Sequence, residues 1–323
     1  MRLAILGAGA TGGFLGARLA SAGADVILIA RGPHLQAMRE AGLRLIEPGG
    51  ESTVGVEATD DLAAVRGADF VLVTLKAHSL PAIAERLADN LGADTAVVSA
   101  QNGIPWWYFQ RHGGELEGIH LETVDPGGVV GRTIDPKRVI ACIVYAATSA
   151  VGPGIVRHVE GERFSLGELD GSQTERILAL SSVLVSAGLK APVQPRIRQE
   201  LWVKLMGNAV FNPLSALTRA SLGGMAESPL LAPIVRAAME EVDSVARRLG
   251  IEIPITIDQR IKGAARVGAH KTSMLQDLEA GRPMEIDAIV GSVVELAGRL
   301  NVPVPHLQTI YASAKVLATS AAS

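Results

Sequence analysis

The run Gly7-Ala8-Gly9-Ala10-Thr11-Gly12 constrains this chain more than any other feature. It has the spacing G-x-G-x-x-G, follows the short apolar stretch Arg2–Leu6, and opens an alanine- and leucine-rich helical stretch over 14–22. The spacing alone is common; the strand before it and the helix after it give it weight. The first glycine permits a tight turn, the second lets backbone approach a pyrophosphate, and the third lets the helix pack close to its sheet. The helix N-terminus adds amide donors and a dipole favourable to phosphate. Residues 7–12 therefore read as a dinucleotide cradle, with an unliganded tight turn as the competing reading.

The surrounding pattern agrees. Apolar, β-branched runs occur at 25–29, 69–74 and 95–100, and residues 80–91 place apolar side chains at helical spacing. Strands alternating with helices predict an α/β domain with a parallel, Rossmann-type doubly wound sheet. Further strand-like runs at 138–147, 155–159 and 163–167 are expected to finish that sheet with antiparallel members, followed by a helix at 174–187 and a short strand at 191–193. After Pro195 the texture becomes helical: 197–211, 230–249, 257–265, 273–279, 285–300 and 306–317, several beginning beside a proline. We place a domain boundary at 195, with a dinucleotide-binding domain at 1–195 and a helical substrate-binding domain at 196–323. A short connection makes a cleft between them the natural place for chemistry.

Bulk composition narrows the partners. The chain has 323 residues, 48% of them hydrophobic, and a net charge of −3 with no basic stripe, which argues against nucleic acid and anionic membrane. Aromatics are only 3%, too few for a base-stacking platform. The single cysteine, Cys142, fits a reducing compartment, and no apolar run is long and glycine-free enough to span a bilayer. A cytoplasmic protein is expected, and the helical C-terminal half suggests a homodimer. The seven histidines show no paired metal-ligand spacing, so no metal is expected.

The second strand ends Leu28-Ile29-Ala30-Arg31, without the acid that bonds ribose hydroxyls in NAD-type sites. An acid there would repel a 2′-phosphate, whereas Arg31 could pair with one, so NADP is expected over NAD. Lys76 and Asn102 follow the next two strands, at the carboxyl ends where open α/β sheets bind ligands. They are candidates to face nicotinamide and substrate. Taken singly, an exposed lysine and a turn-forming Asn-Gly are the commoner readings.

In the helical half, Lys204, Asn208 and Asn212 fall at i, i+4 and i+8, on one helix face. Two asparagines one turn apart are poor helix formers and need another reason to be there. A buried lysine can have its pKa lowered and serve as proton donor, and an ammonium beside a ketone oxygen stabilises the charge left by hydride addition. The asparagine carboxamides can donate to substrate oxygens; a solvated polar stripe is the plain alternative. Pro213 is expected to end or kink the helix and turn Asn212 inward. Ser273 with Gln276 fits a capping box, and Glu285 just after Pro283 fits a first-turn acid.

Taken together, residues 7–12, Arg31, Leu75-Lys76-Ala77, Asn102-Gly103, 202–217, 273–277 and Glu285-Ile286-Asp287 resemble the ketopantoate reductase (2-dehydropantoate 2-reductase) family over nearly the whole chain. The resemblance implies an NADP-dependent oxidoreductase that reduces ketopantoate to pantoate in pantothenate biosynthesis, with a C-terminal domain like that of 6-phosphogluconate dehydrogenase. It implies Lys204 as general acid and Glu285 as a catalytic partner. It implies substrate binding by Asn102, Asn208, Asn212 and Ser273. It implies cofactor contacts from Gly7, Ala8, Gly9, Ala10, Thr11, Gly12, Arg31, Lys76 and Asn102.

Departures from the family pattern are Trp106-Trp107-Tyr108-Phe109 and the long segment 113–137. The aromatic block could cover a nicotinamide, reshape the pocket, form a subunit contact or pack a helix against the sheet. Two other functions fit the same residues: a related 2-hydroxy-acid or opine-type dehydrogenase acting on a different oxo acid, and a non-catalytic NADP-binding protein.

Overall fold

The computed structural model describes residues 1–321. The described residues divide into two compact units: Met1–Gln101, Trp107–His120 and Gly128–Ile197 form the first, and Asn102–Trp106, Leu121–Gly127 and residues 198–321 the second. The division is not a single cut. Asn102 and its neighbours follow a strand of the first unit in sequence but cluster with the helices.

The first unit is built on strands β1 (Arg2–Leu6), β2 (Asp25–Ile29), β3 (Leu43–Glu47), β4 (Gly50–Val54), β5 (Glu57–Thr59), β6 (Phe70–Val73), β7 (Ala96–Ser99), β8 (Val139–Val144), β9 (Ala147–Gly152), β10 (Ile155–Glu160) and β11 (Phe164–Glu168). Seven of them make one sheet in the order β11-β8-β7-β6-β1-β2-β5. All its pairings are parallel except β11 with β8. The fold is the expected Rossmann type. Chain order runs outward from β1 through β2 to β5, then restarts at β6 on the other side of β1. The β1/β6 junction is therefore the topological switch point, where such sheets bind ligands. Leu6 stands level with Ile29 and Val73, so the loops that follow these strands share one edge.

Strand β10 departs from expectation. It leaves the main sheet for a second one, β4-β3-β10-β9, in which it pairs parallel with β3 and antiparallel with β9, a strand that the sequence did not signal. Helix α1 (Ala10–Ser21) makes this possible by lying between the sheets. A Cβ on Gly13 would meet Val156 of β10 at 2.7 Å, and one on Gly16 would meet Leu28 of β2 at 2.8 Å. The absence of side chains at both positions lets two layers close on one helix. Phe14 fills the gap, stacking on His158 with ring centroids 4.4 Å apart. The remaining helices of this unit are α2 (Gly32–Ala41), α3 (Ala84–Ala88), α4 (Val129–Thr133) and α5 (Glu175–Ser186). The helix expected over 80–91 is reduced to α3 behind a 3-10 turn, Pro81–Ile83, because Ile83 sits at φ −125°, outside helical values.

The second unit carries α6 (Ile197–Thr218, whose first residue clusters with the first unit), α7 (Leu222–Glu227), α8 (Ala232–Arg248), α9 (Ile257–Val267), α10 (Ser273–Glu279), α11 (Ser292–Leu300) and α12 (Pro305–Ala321). Pro213 does not end α6, which continues to Thr218. The proline removes one amide donor, and the helix accommodates that loss. Among the described residues no helix is long and apolar enough to cross a membrane, and no group of three or more His, Cys, Asp or Glu could hold a metal ion.

Candidate active site

Two constellations emerge, one in each unit. In the first, Gly7 adopts φ +105°, and a Cβ there would strike Leu75 N at 2.9 Å. The Gly7 and Ala8 amides both donate to Ile29 O, at 3.0 and 3.1 Å, tying the loop to the end of β2. Gly12 carries the packing role. A Cβ there would lie 2.3 Å from Gly7 O and 2.4 Å from Thr74 Oγ1, and the Thr74 hydroxyl donates to Gly7 O at 2.7 Å. Gly9 is different, since a Cβ on it meets nothing within 4 Å. It is the N-cap of α1, and no side chain caps that helix. The first-turn amides, which have no intrahelical acceptor, are thus left for a ligand. Ala8 is buried, while Ala10 and Thr11 are half-buried, with Thr11 Oγ1 3.4 Å from Thr148 Oγ1. A pyrophosphate fits this cradle: the glycine that is not needed for packing is the one facing open space.

On the same edge, Arg31 is exposed and is the N-cap of α2, one residue beyond Ala30 at the tip of β2. Lys76 is half-buried at the start of a 3-10 turn, Ala77–Ser79, after β6.

The second constellation lies wholly within the helical unit. Lys204 Nζ donates to Asn102 Oδ1 at 2.6 Å, and Asn102 Nδ2 donates to Glu285 Oε2 at 3.2 Å. The asparagine bridges the lysine and the acid. Asn208 and Asn212 extend the Lys204 face along α6; Asn208 is half-buried and Asn212 only 6% exposed. Among the described residues neither carboxamide has a hydrogen-bond partner. Both carboxamides are therefore open to a ligand oxygen.

Ser273 is the first residue of α10 and is exposed. It does not cap the helix as expected. Thr272 does, because its backbone is extended and its hydroxyl accepts from the Leu275 amide at 3.2 Å. The buried Thr272 hydroxyl also bonds Ser215 on α6, which fastens the start of α10 to the helix bearing Asn212. Sequence reading also missed Arg260 of α9. Its guanidinium lies so close to Gly207 that a Cβ there would come within 2.0 Å of it. The signal available was a glycine in mid-helix, a position costing about 1 kcal/mol relative to alanine.

The aromatic block is interior. Trp107, Tyr108 and Phe109 are each about 1% exposed, and Tyr108 meets Phe109 edge-on at 4.8 Å. These side chains are buried within the protein itself. In the 121–127 segment, Glu295 of α11 accepts from the Glu122 and Thr123 amides at 2.9 Å each and from the Thr123 hydroxyl at 2.8 Å. Burial works to raise the Glu295 pKa, but these bonds and Arg299 outweigh it and hold the carboxyl below its ordinary range.

The comparisons with known proteins agree with this arrangement. The family model described as Ketopantoate reductase PanE/ApbA matches residues 3–171, and its C-terminal counterpart matches residues 196–318. The chain is 49% identical over 319 residues to the 2-dehydropantoate 2-reductase of Mesorhizobium japonicum, covering 98% of each. Among solved structures, one from Ralstonia solanacearum MolK2 is 40% identical with a TM-score of 0.93, covering 99% of this chain and 98% of that one. The PanE/ApbA family ketopantoate reductase of Ralstonia eutropha JMP134 is 31% identical with a TM-score of 0.86, covering the whole of both. With its sheet-bearing and helical parts both matched, the chain belongs to the ketopantoate reductase family.

Proposed function

We propose that this chain reduces 2-dehydropantoate to pantoate with NADPH as the hydride donor. The observation that carries the reading is the linked set Lys204, Asn102 and Glu285, beside two unpartnered carboxamides on the same helix face. A nicotinamide, when bound, supplies hydride to the ketone carbon. The chain's own residues supply the rest. Residues 7–12 and the uncapped start of α1 hold the pyrophosphate. Arg31, with no acid beside it at the tip of β2, meets the 2′-phosphate and selects NADP. Lys76 faces the cofactor. Ser273 takes the substrate carboxylate, and Asn208 and Asn212 donate to its hydroxyl and carbonyl region. Lys204 Nζ stabilises the developing alkoxide and gives it a proton, completing the hydroxy acid. Asn102 orients that ammonium, and Glu285 holds Asn102 or the emerging hydroxyl.

The test is the loss of reduced-nicotinamide absorbance with 2-dehydropantoate, beside a panel of other 2-oxo acids and with NADH in place of NADPH. Turnover confined to 2-dehydropantoate with NADPH is expected. Preference for another oxo acid would overturn the substrate but leave the chemistry. NADPH binding with no turnover of any oxo acid would overturn the enzyme reading altogether.

A further inference from the structure

Glu285 lies just ahead of a helix that does not begin as a regular α-helix. Immediately after Ile286 it makes a π turn, Asp287–Gly291, in which the Ser292 amide reaches back to the Asp287 carbonyl. Such turns are uncommon and tend to occur at functional sites. Here one carbonyl of the turn serves the neighbouring loop. Ala288 O accepts from the Ile104 amide at 3.0 Å and from the Ser292 hydroxyl at 2.7 Å. In an α-helix that carbonyl would be the partner of the Ser292 amide, which in the π turn is engaged elsewhere.

The approach of the loop is close enough to dictate its sequence. Gly103 sits at φ +83°, and a Cβ there would come within 1.8 Å of Ala288 O. The residue before it is Asn102, the bridge between Lys204 and Glu285. The turn is itself anchored from α12. Tyr311 Oη donates to Asp287 Oδ1 at 2.7 Å, and Lys315 Nζ donates to Asp287 Oδ2 at 2.9 Å. The Tyr311 ring packs on Gly291, where a Cβ would come within 2.8 Å of it.

We propose that Ser292 and Tyr311 are positioning residues for the proton-transfer group. They hold the π turn, the turn holds Gly103 and Ile104, and the Asn102 carboxamide is thereby kept between Lys204 and Glu285. The inference rests on the reading of Lys204 as the proton donor. None of these positioning groups touches the reacting atoms; each acts through Asn102.

The experiment uses Ser292→Ala, which removes the hydroxyl from Ala288 O, and Tyr311→Phe, which keeps the ring on Gly291 but removes its bond to Asp287. Misplacing a catalytic group by an ångström costs on the order of 100-fold, so kcat should fall about 10- to 100-fold in Ser292→Ala and less in Tyr311→Phe. The pH dependence of kcat should shift in both, with KM for NADPH within about twofold of the original. Loss of thermal stability with an unchanged pH profile in the folded fraction would mean a merely structural role and would overturn the proposal. If Ser292→Ala does not fold, Tyr311→Phe decides. A second readout needs no turnover: the pH dependence of reductive methylation at Lys204, followed by peptide mass spectrometry. A shifted Lys204 profile in the variants of a protein that reduces no oxo acid would sink the functional reading and keep the positioning one. An unshifted profile would sink the positioning one.

Discussion

Gly9 and Gly12 sit three residues apart in one motif, and the structure assigns them opposite duties that mutation can separate. Gly12→Ala places a methyl 2.3 Å from Gly7 O, 2.4 Å from Thr74 Oγ1 and 3.0 Å from Ile5 Cγ2. The nearest of these atoms is backbone and the others are held between strands, so α1 must retreat from the sheet. Overpacking of this kind costs about 1–3 kcal/mol. Losing the Thr74 hydroxyl bond to Gly7 O adds about 1 kcal/mol. The better helix propensity of alanine returns about 1 kcal/mol. The net is about 2 kcal/mol, or roughly 4–8 °C in Tm for a cooperative unit of this size. In Gly9→Ala the new methyl meets nothing within 4 Å and φ is −74°, outside the left-handed region. Stability should change by less than about 0.5 kcal/mol, as at an ordinary surface site. NADPH binding should nevertheless weaken by about 10- to 100-fold, because the methyl holds the pyrophosphate off charge-assisted amide bonds worth about 1.5–3 kcal/mol. Thermal scans and NADPH titrations on both variants make the comparison. Unchanged affinity in Gly9→Ala would refute the cradle, and undiminished stability in Gly12→Ala would refute the packing argument.

Three further outcomes are expected. Lys204→Ala should lower kcat by about 10²–10⁴-fold, and near-normal turnover would remove it from the chemistry. Arg31→Ala should weaken NADPH far more than NADH, measured as paired dissociation constants; equal losses would refute the 2′-phosphate contact. The depressed pKa of Glu295 means that its bonds to residues 122–123 stabilise the fold fully above its ordinary value of 4.5 and progressively less as pH falls below it. Glu295→Gln should therefore be less stable than the original protein at neutral pH, with the gap closing below about pH 4.5 in chemical-denaturation curves. A gap independent of pH would show that shape, not charge, matters there.

What the sequence alone determined about this protein was local or periodic. Glycine spacing after an apolar strand marked the first turn of the sheet, since only a residue without a side chain can take φ +105° beside Leu75. Helical spacing put Lys204, Asn208 and Asn212 on one face, since 3.6 residues per turn is a property of the backbone and not of what surrounds it. The parallel sheet followed from the alternation of elements. Tertiary structure decided what depends on partners distant in the chain. Strand β10 looked like a further member of the main sheet, but a strand's sequence does not name its neighbour; Gly13, which lets β10 pack on the far side of α1, matters only once the helix is in place. Asn102 reads as part of a strand-end loop, yet it clusters with the helices and meets Glu285 across 183 positions of sequence. The π turn that receives its neighbours has no periodic signature, because it is one extra residue in one turn, stabilised by a carbonyl, a serine and a tyrosine that converge only in the folded chain.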